Sequence, residues 1–211
     1  LWVAFEHVAK KPVRAMARGW TQQAGYPLVT VQESGKQLVL RQSRFFSSSV
    51  TAARFKNVIT SWSIPVGIQK VVKKRPIYVL LQDRHMSFKR SFFGRHFKLN
   101  SGAIGLYRVD YPVTFLRALS PLIGRQKLSV PDRLSLENDA FVLAKVGRVS
   151  TVAALELAGN YLSETDYNVW LDLAGHLGAI ENLTSGETCE SAYKNFARSL
   201  FAPLARRMDW K

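Results

Sequence analysis

The spacing of apolar residues changes twice along this 211-residue chain. Near the N-terminus, apolar residues recur every three or four positions, as is typical of helices: Trp2, Phe5, Val8, Val13, Met16 and Trp20. Pro12 suits the first residue of a second helix, where its missing N–H matters least. Gly25, followed by Tyr26 and Pro27, is a suitable helix stop. We therefore predict a helical hairpin over residues 1–27.

From Leu28 the period becomes two, which indicates β-strands. Two alternating runs, Leu28–Glu33 and Leu38–Gln42, flank a predicted turn at Gly35 and Lys36. Further β-rich runs follow at Trp62–Val66, Ile77–Leu81 and Phe88–Phe93. Several short strands separated by turns favour an antiparallel β-sandwich over residues 28–111.

The stretch from Phe97 to Pro112 separates this β-rich part from the rest of the chain. Gly102 and Gly105 supply turn freedom that residues with a Cβ lack. A strand-like apolar set follows at Leu106, Val109 and Tyr111, and Pro112 ends it because proline cannot donate to a ladder. An ordinary hairpin is the structure that physical reasoning favours here.

After Tyr111 the apolar spacing is helical again, at Val113, Leu116, Leu119 and Ile123. Ser129, followed three residues later by Asp132, is a helix-start signal. Further helices are predicted at Ser150–Leu162, Tyr167–Leu183 and Glu190–Met208. Paired helices of this length suit an α-solenoid, so residues 112–211 are predicted to begin a helical-repeat domain. The predicted fold class is α+β, with divisions at 1–27, 28–111 and 112–211.

The net charge of +15 is concentrated in the β-rich part, where residues 34–109 hold fifteen basic residues and one acid, Asp83. The cations alternate with aromatic residues, in the set Lys70, Lys73, Lys74, Arg75, Arg84, Phe88, Lys89, Arg90, Phe92, Phe93, Arg95, Phe97 and Lys98. Cations can follow phosphates while aromatic rings stack on bases, so a single-stranded nucleic-acid platform is one alternative. Strand alternation instead predicts phenylalanines in the core and cations in water, so we expect a solvated basic face. An acidic protein surface is the other alternative partner.

Composition limits the class of protein and the compartment. Hydrophobic residues make up 47% and charged residues 21%, which is typical of a globular chain. No run approaches the roughly 18 apolar residues of a membrane span. Cys189 is the lone cysteine, so no internal disulfide is expected, and a reducing, cytoplasmic location is favoured. The N-terminal residues lack an initiator Met and read as the middle of a helix, so we expect a piece of a longer chain.

Several short motifs occur in a fixed order along the chain. They are Leu1-Trp2, Trp20-Thr21 with Gly25-Tyr26-Pro27, Leu40–Phe45, Trp62–Val66, Asn100 with Gly102, Gly105 and Tyr107–Tyr111, Asp132-Arg133, Asp139-Ala140-Phe141, and Glu164 with Asp166-Tyr167 and Trp170. Together they resemble the puromycin-sensitive-type zinc aminopeptidases. The chain departs from that family at Phe97, where Trp is usual, and at Ala103-Ile104, where polar residues are usual.

This resemblance implies a fragment that lies C-terminal to the zinc site of such an enzyme. The parent would release N-terminal residues from peptides with a zinc-activated water. This chemistry needs two histidines four apart on a helix with a glutamate as base, a further glutamate ligand and a Gly-x-Met-Glu-Asn loop. No two of the chain's histidines are four apart, at His7, His85, His96 and His176, and no methionine is followed by Glu-Asn. We therefore expect no catalytic, cofactor-binding or metal-ligating residue here. The implied partners are the remainder of the aminopeptidase chain and its peptide substrates, with the zinc held by the parent enzyme.

Other reactive residues favour structural roles. Cys189 has no histidine near it in the sequence and is expected to be an ordinary thiol. Asp132 and Arg133 are expected to form a helix cap or ion pair, and Tyr107 and Tyr111 to pack against the sandwich.

Overall fold

The computed structural model describes residues 1–55, 60–70, 75–94 and 96–207. The chain contains both helices and sheets, as the sequence predicts. It divides into two compact units, Leu1–Pro112 and Val113–Lys211, which are described separately. The predicted three-part division at 1–27, 28–111 and 112–211 stays a prediction.

The first unit begins with the predicted helical hairpin, formed by α1 (Trp2–Ala9) and α2 (Val13–Thr21). Lys10 adopts a left-handed conformation, with φ of 52°, and its N–H donates to Glu6 O, which ends α1. The Trp20 indole N–H donates to the carbonyl oxygen of Ser63 at 3.2 Å. This hydrogen bond fixes α2 against the segment that leads into the second sheet.

Seven strands follow in the described part of this unit: β1 (Pro27–Ser34), β2 (Gln37–Arg44), β3 (Ile64–Lys70), β4 (Ile77–Leu81), β5 (His85–Lys89), β6 (Phe97–Leu99) and β7 (Arg108–Asp110). A short helix, α3 (Ser49–Arg54), lies between β2 and β3. The hairpin of β1 and β2 turns at Gly35 and Lys36, as predicted, with Ser34 opposite Gln37. Gly35 has a φ of 57°, which a residue with a Cβ rarely adopts.

The strands form one sheet in the order β5-β2-β1-β7 and another in the order β4-β3-β6. The prediction of purely antiparallel pairing is wrong for β1 and β7, which run parallel with Val29 opposite Val109. A parallel pair requires a long crossover connection. The chain between Ser34 and Arg108, which includes the whole second sheet, supplies that connection.

The predicted strand at Phe88–Phe93 is only partly correct. Strand β5 ends at Lys89, and the chain continues as a short helix, α4 (Arg90–Phe93). The helical turn stacks Phe92 on Phe88 with ring centroids 5.3 Å apart, and it leaves Phe93 fully buried. A continued strand would have pointed Phe92 and Phe93 to opposite faces, so aromatic packing favours the turn.

The predicted hairpin at Phe97–Pro112 is wrong, because its two strands join different sheets. Strand β6 pairs with β3, and β7 pairs with β1. The chain turns between them through a 3₁₀ segment, Ser101–Ala103, in which Gly102 has a φ of 71°. The Asn100 amide donates to the carbonyl oxygens of Gly105, at 2.9 Å, and Tyr107, at 3.2 Å. The segment is therefore a bridge between sheets that is held by Asn100.

A buried polar side chain, Gln42 on β2, joins the first sheet to the chain around the second. Its amide nitrogen donates to Trp62 O at 2.9 Å and to Asp83 O at 2.8 Å. Its oxygen accepts from the Trp62 N–H at 2.8 Å. The surrounding core is apolar and includes Leu28, Leu38, Leu40, Trp62, Ile64, Ile68, Leu81, Phe93, Phe97 and Leu99.

The second unit is helical, with α5 (Val113–Gly124), α6 (Val130–Lys145), α7 (Thr151–Ala158), α8 (Tyr167–Thr184) and α9 (Glu190–Arg207). The predicted cap is present, because the Ser129 hydroxyl accepts from the Asp132 N–H at 3.3 Å. Helix α7 is shorter than predicted and continues as a 3₁₀ turn, Gly159–Tyr161. Across the described part of the chain, no helix combines the length and apolarity that a bilayer crossing requires.

Candidate functional site

Glu164 and Glu137 are buried carboxyl groups of the helical unit with contrasting surroundings, and the first belongs to an ion pair. Arg133 on α6 donates from Nε and Nη2 to the two oxygens of Glu164, at 2.6 and 2.8 Å. The backbone N–H groups of Thr165 and Asp166 also donate to Glu164 Oε1, at 2.8 and 2.9 Å. Both side chains of the pair are almost fully buried. Arg133 thus has a buried ion-pair partner, and Asp132 lies at the N-terminal cap of α6. Both residues were expected to have structural roles.

These hydrogen bonds set the acidity of Glu164. Burial alone raises the pKa of this carboxyl, because a charge is costly away from water. The hydrogen bonds from Arg133 and from the backbone of Asp166 and Thr165 act in the other direction and together lower the pKa below its ordinary value. The hydrogen bond to Glu164 in turn raises the pKa of Arg133. The pair is therefore a charged, fully hydrogen-bonded group inside the unit.

The carboxyl of Glu137 lies one turn after Arg133 on α6. Unlike Glu164, it lacks hydrogen-bond donors in the part of the chain that the structure describes. Its relative exposure is 0%, and neither carboxylate oxygen has a hydrogen-bond donor among the described residues. Burial raises the pKa of Glu137 to about 10, and the proximity of Asp172 adds to the rise. A carboxyl without donors in such a place is a costly arrangement unless it binds a proton or a cation.

Asp172 and His176 face Glu137 from one turn of α8. Asp172 Oδ2 lies 3.5 Å from His176 Nε2. The Asn138 amide donates to Asp172 Oδ2 at 2.8 Å and lies 3.4 Å from His176 Nε2. The ring of Phe141 stacks on the imidazole, with centroids 5.0 Å apart and planes 11° apart. Both side chains are therefore held in defined orientations.

We name Glu137, Asp172 and His176 the Glu137 cluster. One potential ligand atom from each residue lies within 4.8 Å of the other two. The cluster borders a groove of about 470 Å³ lined by Leu134, Asn168, Leu171, Asp172, Gly175 and His176. The arrangement combines two carboxylates and an imidazole beside an open path to solvent.

The first unit carries a different kind of site, a groove of about 540 Å³ that we name the α1–α2 groove. Its apolar lining includes Trp2, Val13, Met16, Trp20, Pro65, Ile104 and Leu106. Helix α1 has no buried residue, and Phe5 and Val8 are 52% and 81% exposed. Large exposed apolar patches often mark interaction sites, so the groove and the exposed apolar residues of α1 form a candidate site.

The phenylalanines that alternate with the basic residues singled out in the sequence are not fully exposed in the described part of the first unit. Phe93 and Phe97 are buried, and Phe88 and Phe92 are half-buried. Lys98, which was expected to face water, is also buried. Its ammonium donates to Leu99 O at 2.8 Å and to Asn100 O at 3.2 Å, so backbone carbonyls replace the water it would otherwise need. Lys73, Lys74 and Arg95 lie outside the described residues.

The histidines, the methionines and the cysteine are spread across the chain. His7 and His85 are exposed and His96 is half-buried, while His176 joins the Glu137 cluster. Met16 lines the α1–α2 groove and Met86 lies on β5, whereas Met208 is outside the described residues. Cys189 is an exposed free thiol.

Sequence reasoning missed Glu137 and Asp172. One available signal was the Asp172-x-x-x-His176 spacing on a predicted helix, which places both side chains on one face. The other was an acidic residue, Glu137, among the apolar positions of the helix that contains Ala140 and Phe141. No local pattern links the two helices, because Glu137 and Asp172 are 35 positions apart in the sequence.

Residues 96–211, more than half of the chain, match the family model of the ERAP1-like C-terminal domain. The chain belongs to this family. The resemblance to the puromycin-sensitive-type aminopeptidases is thereby confirmed, and individual relatives agree with it.

Three relatives illustrate the agreement. Puromycin-sensitive aminopeptidase of Caenorhabditis elegans is 32% identical over 81% of this chain and 18% of its own length. Aminopeptidase M1-A of Oryza sativa subsp. japonica is 27% identical over 100% of this chain and 24% of its own length. Tricorn protease-interacting factor F2 of Thermoplasma volcanium is 30% identical over 85% of this chain and 21% of its own length. The chain thus spans about a fifth to a quarter of these curated relatives.

Proposed function

We propose that this chain is a non-catalytic part of a zinc metallo-aminopeptidase that releases N-terminal amino acids from peptides. The observation that carries the proposal is the match of residues 96–211 to the ERAP1-like C-terminal domain family. The similar proteins include aminopeptidases about four to six times as long as the part they share with this chain. The other three quarters or more of such a protein would contain the reaction centre.

The proposal assigns an architectural role to each part of the chain. Residues 1–27 would be the last helices of the catalytic domain, 28–111 a β-sandwich, and 112–211 the first helices of a solenoid that covers the active site. The link from β2 through Gln42 to the chain around the second sheet supports the sandwich. The packing of α6 against α7 and α8, and of α8 against α9, supports the solenoid.

The α1–α2 groove would receive the remainder of the aminopeptidase chain. Helix α1 buries no residue within the described chain, although its sequence is largely apolar. The curated relatives are several times longer than this chain. The proposed occupant of the groove is the catalytic domain that would precede residue 1 in the parent. Burial of these side chains would then contribute about 25 cal/mol for each Å² of apolar surface removed from water.

The family's catalytic zinc does not fit the residues of this chain. In the whole sequence no two histidines are four apart, and none is followed by glutamate. The ligand helix, the general base and the peptide substrates therefore belong, in this proposal, to the parent enzyme. A cytoplasmic location is part of the same proposal, supported by the exposed free thiol of Cys189, which a reducing compartment would preserve.

The proposal is tested by comparing residues 1–211 with the longer natural chain that contains them. Both are purified and assayed with a fluorogenic aminoacyl substrate. We expect turnover by the longer chain, and none by residues 1–211 alone, because the ligand pair is absent. Turnover by residues 1–211 that survives repurification would contradict the non-catalytic role. Inactivity of the longer chain toward a panel of aminoacyl substrates would contradict the aminopeptidase assignment.

A further inference from the structure

We propose that Glu137, Asp172 and His176 bind one divalent transition-metal cation of the Zn²⁺ type between α6 and α8. The triad combines one imidazole with two carboxylates, whereas the family's catalytic zinc requires a histidine pair that this chain lacks. The proposed site also departs from our sequence-based expectation of no metal ligand in this chain. The cation would join the two helices within the helical unit.

The positions of the ligand atoms fit a small tetrahedral ion. Zinc binds imidazole nitrogen and carboxylate oxygen at about 2.0 to 2.2 Å, so two ligand atoms of a tetrahedral site lie about 3.4 Å apart. His176 Nε2 and Asp172 Oδ2 are already 3.5 Å apart. Glu137 completes a set in which all three atoms lie within 4.8 Å. Shortening the separations to Glu137 by at most about 1.4 Å, from 4.8 Å to about 3.4 Å, would therefore bring the triad to tetrahedral spacing.

The need for a cation follows from the surroundings of Glu137. Glu164, another buried carboxyl of this unit, accepts hydrogen bonds from Arg133 and from the backbone of Thr165 and Asp166. Glu137 has no donor among the described residues, although its exposure is 0%. Its negative neighbour, Asp172, increases the cost of its charge. A bound cation would coordinate one oxygen of Glu137 and would neutralise the charges of both acids.

The neighbouring side chains hold the two ligands of α8 in place. Asn138 donates to Asp172 Oδ2 at 2.8 Å, and the Phe141 ring stacks on the imidazole of His176. Interactions of this kind around a metal site typically orient the ligands and increase metal affinity. The triad is thus partly organised before any metal arrives.

The groove beside the cluster provides an entry path and room for a water ligand. Asp172 and His176 both line this space of about 470 Å³, which opens to solvent. Three protein ligands would leave a fourth coordination position that faces this groove. An imidazole ligand favours Zn²⁺ over Mg²⁺ and Ca²⁺, which prefer sets composed of oxygen.

Zinc titration by isothermal calorimetry tests the proposal on residues 1–211. Cys189→Ser serves as the parent background, because an exposed thiol can bind zinc by itself. We expect one Zn²⁺ per chain, a higher thermal unfolding midpoint with zinc, reversal by EDTA, and weaker binding of Mg²⁺. Absence of a one-to-one site in the parent would overturn the proposal.

Two ligand variants locate the site, and a variant of a histidine outside the cluster serves as the matched control. Glu137→Gln and His176→Gln should each weaken zinc binding at least about tenfold. His7→Gln removes an exposed histidine from α1 and should leave the zinc affinity unchanged. Circular dichroism and the midpoint without zinc show whether each variant is folded. Glu137→Gln keeps the shape of the buried side chain, so this variant decides the outcome if His176→Gln unfolds. Unchanged affinity in a folded Glu137→Gln protein would overturn the proposal.

Discussion

Glu164 and Glu137 show how neighbouring groups determine the state of a buried carboxyl. Both side chains are nearly inaccessible to water. Donors from Arg133, Thr165 and Asp166 lower the pKa of Glu164, whereas burial without donors raises the pKa of Glu137. The same residue type is thus stabilised as an anion at one position and destabilised as an anion at the other. Only the first arrangement contributes stability through its own charge.

The Arg133–Glu164 pair predicts acid sensitivity of the chain. The pKa of Glu164 is lower in the folded than in the unfolded state, so the ion pair contributes its full stabilisation when the pH is above the ordinary glutamate pKa. This stabilisation is lost as the pH falls through the lower pKa of the folded state. Glu164→Gln should cost about 3 to 5 kcal/mol at pH 7, because it leaves Arg133 buried and unpaired. The difference in stability between Glu164→Gln and the parent should shrink as the pH falls below about 4.3.

Urea unfolding at several pH values, from neutral to acidic, measures this difference. Glu187→Gln, at an exposed position of the same unit, is the control and should follow the parent profile. A Glu164→Gln protein whose stability stays parallel to that of the parent at every pH would refute the prediction.

At the scale of elements, the helices were the most predictable part of the chain. Helices α5, α6, α8 and α9 lie near the expected residues, because each has a local apolar period and Ser129 marks the start of α6. The hairpin of β1 and β2 was predictable for the same reason, since Gly35 and Lys36 specify its turn. These features depend on residues that are close together in sequence.

The elements that were predicted wrongly depend on distant partners. Whether Phe97–Leu99 pairs with β7 or with β3 is decided by packing across the two sheets, which local alternation does not encode. The helical turn at Arg90–Phe93 depends on ring stacking among Phe88, Phe92 and Phe93. The Glu137 cluster was missed for the same physical reason, because its ligands come together only when α6 packs against α8.

Gly105 allows a direct test of the bridge between the sheets. A Cβ on this residue would lie 2.3 Å from Tyr107 Cε1 and 3.0 Å from Asn100 Oδ1. Tyr107 is only 5% exposed, so its ring has little room to move. Crowding, rather than a left-handed backbone, thus makes glycine necessary here. We expect Gly105→Ala to destabilise the chain by about 1 to 3 kcal/mol.

The unfolding midpoint in urea measures this change against a matched glycine. Gly178 lies inside α8, where an added Cβ would have no neighbouring atom within 4 Å. Gly178→Ala should stabilise by up to about 1 kcal/mol, because alanine is the better helix former. A Gly105→Ala midpoint equal to that of the parent would show that the glycine is incidental.

At the scale of the whole molecule, charge is the most uneven property. Residues 34–109 carry fifteen basic residues against one acid, yet the phenylalanines between Phe88 and Phe97 are buried or half-buried. Phe93 and Phe97 belong to the core, and the ammonium of Lys98 donates hydrogen bonds to backbone carbonyls. The exposed cations, such as Lys36, Arg84 and Lys89, can attract phosphates without recognising bases.

This distribution predicts weak and unselective binding of single-stranded oligonucleotides. Dissociation constants should lie on the order of 10⁻⁴ to 10⁻⁶ M at physiological salt, without base preference, and should rise with salt concentration. Lys36, Arg84 and Lys89 are replaced together by glutamine, since all three are exposed and the core should remain intact. The slope of log affinity against log salt should then become shallower by about 0.7 for each phosphate that the variant no longer neutralises.

A second triple variant distinguishes the effect of cations in the β-rich part from the effect of the net charge of the whole chain. Arg125, Lys127 and Lys145 are exposed cations of the helical unit, and replacing them by glutamine removes the same net charge. Fluorescence anisotropy with labelled oligonucleotides should give a smaller change in slope for this control, because the helical unit lacks the excess of cations. Submicromolar, base-selective binding by the parent, abolished only in the Lys36, Arg84 and Lys89 variant, would contradict a solvated basic face. It would instead favour a dedicated nucleic-acid surface, because nonspecific attraction to phosphates cannot distinguish one base from another.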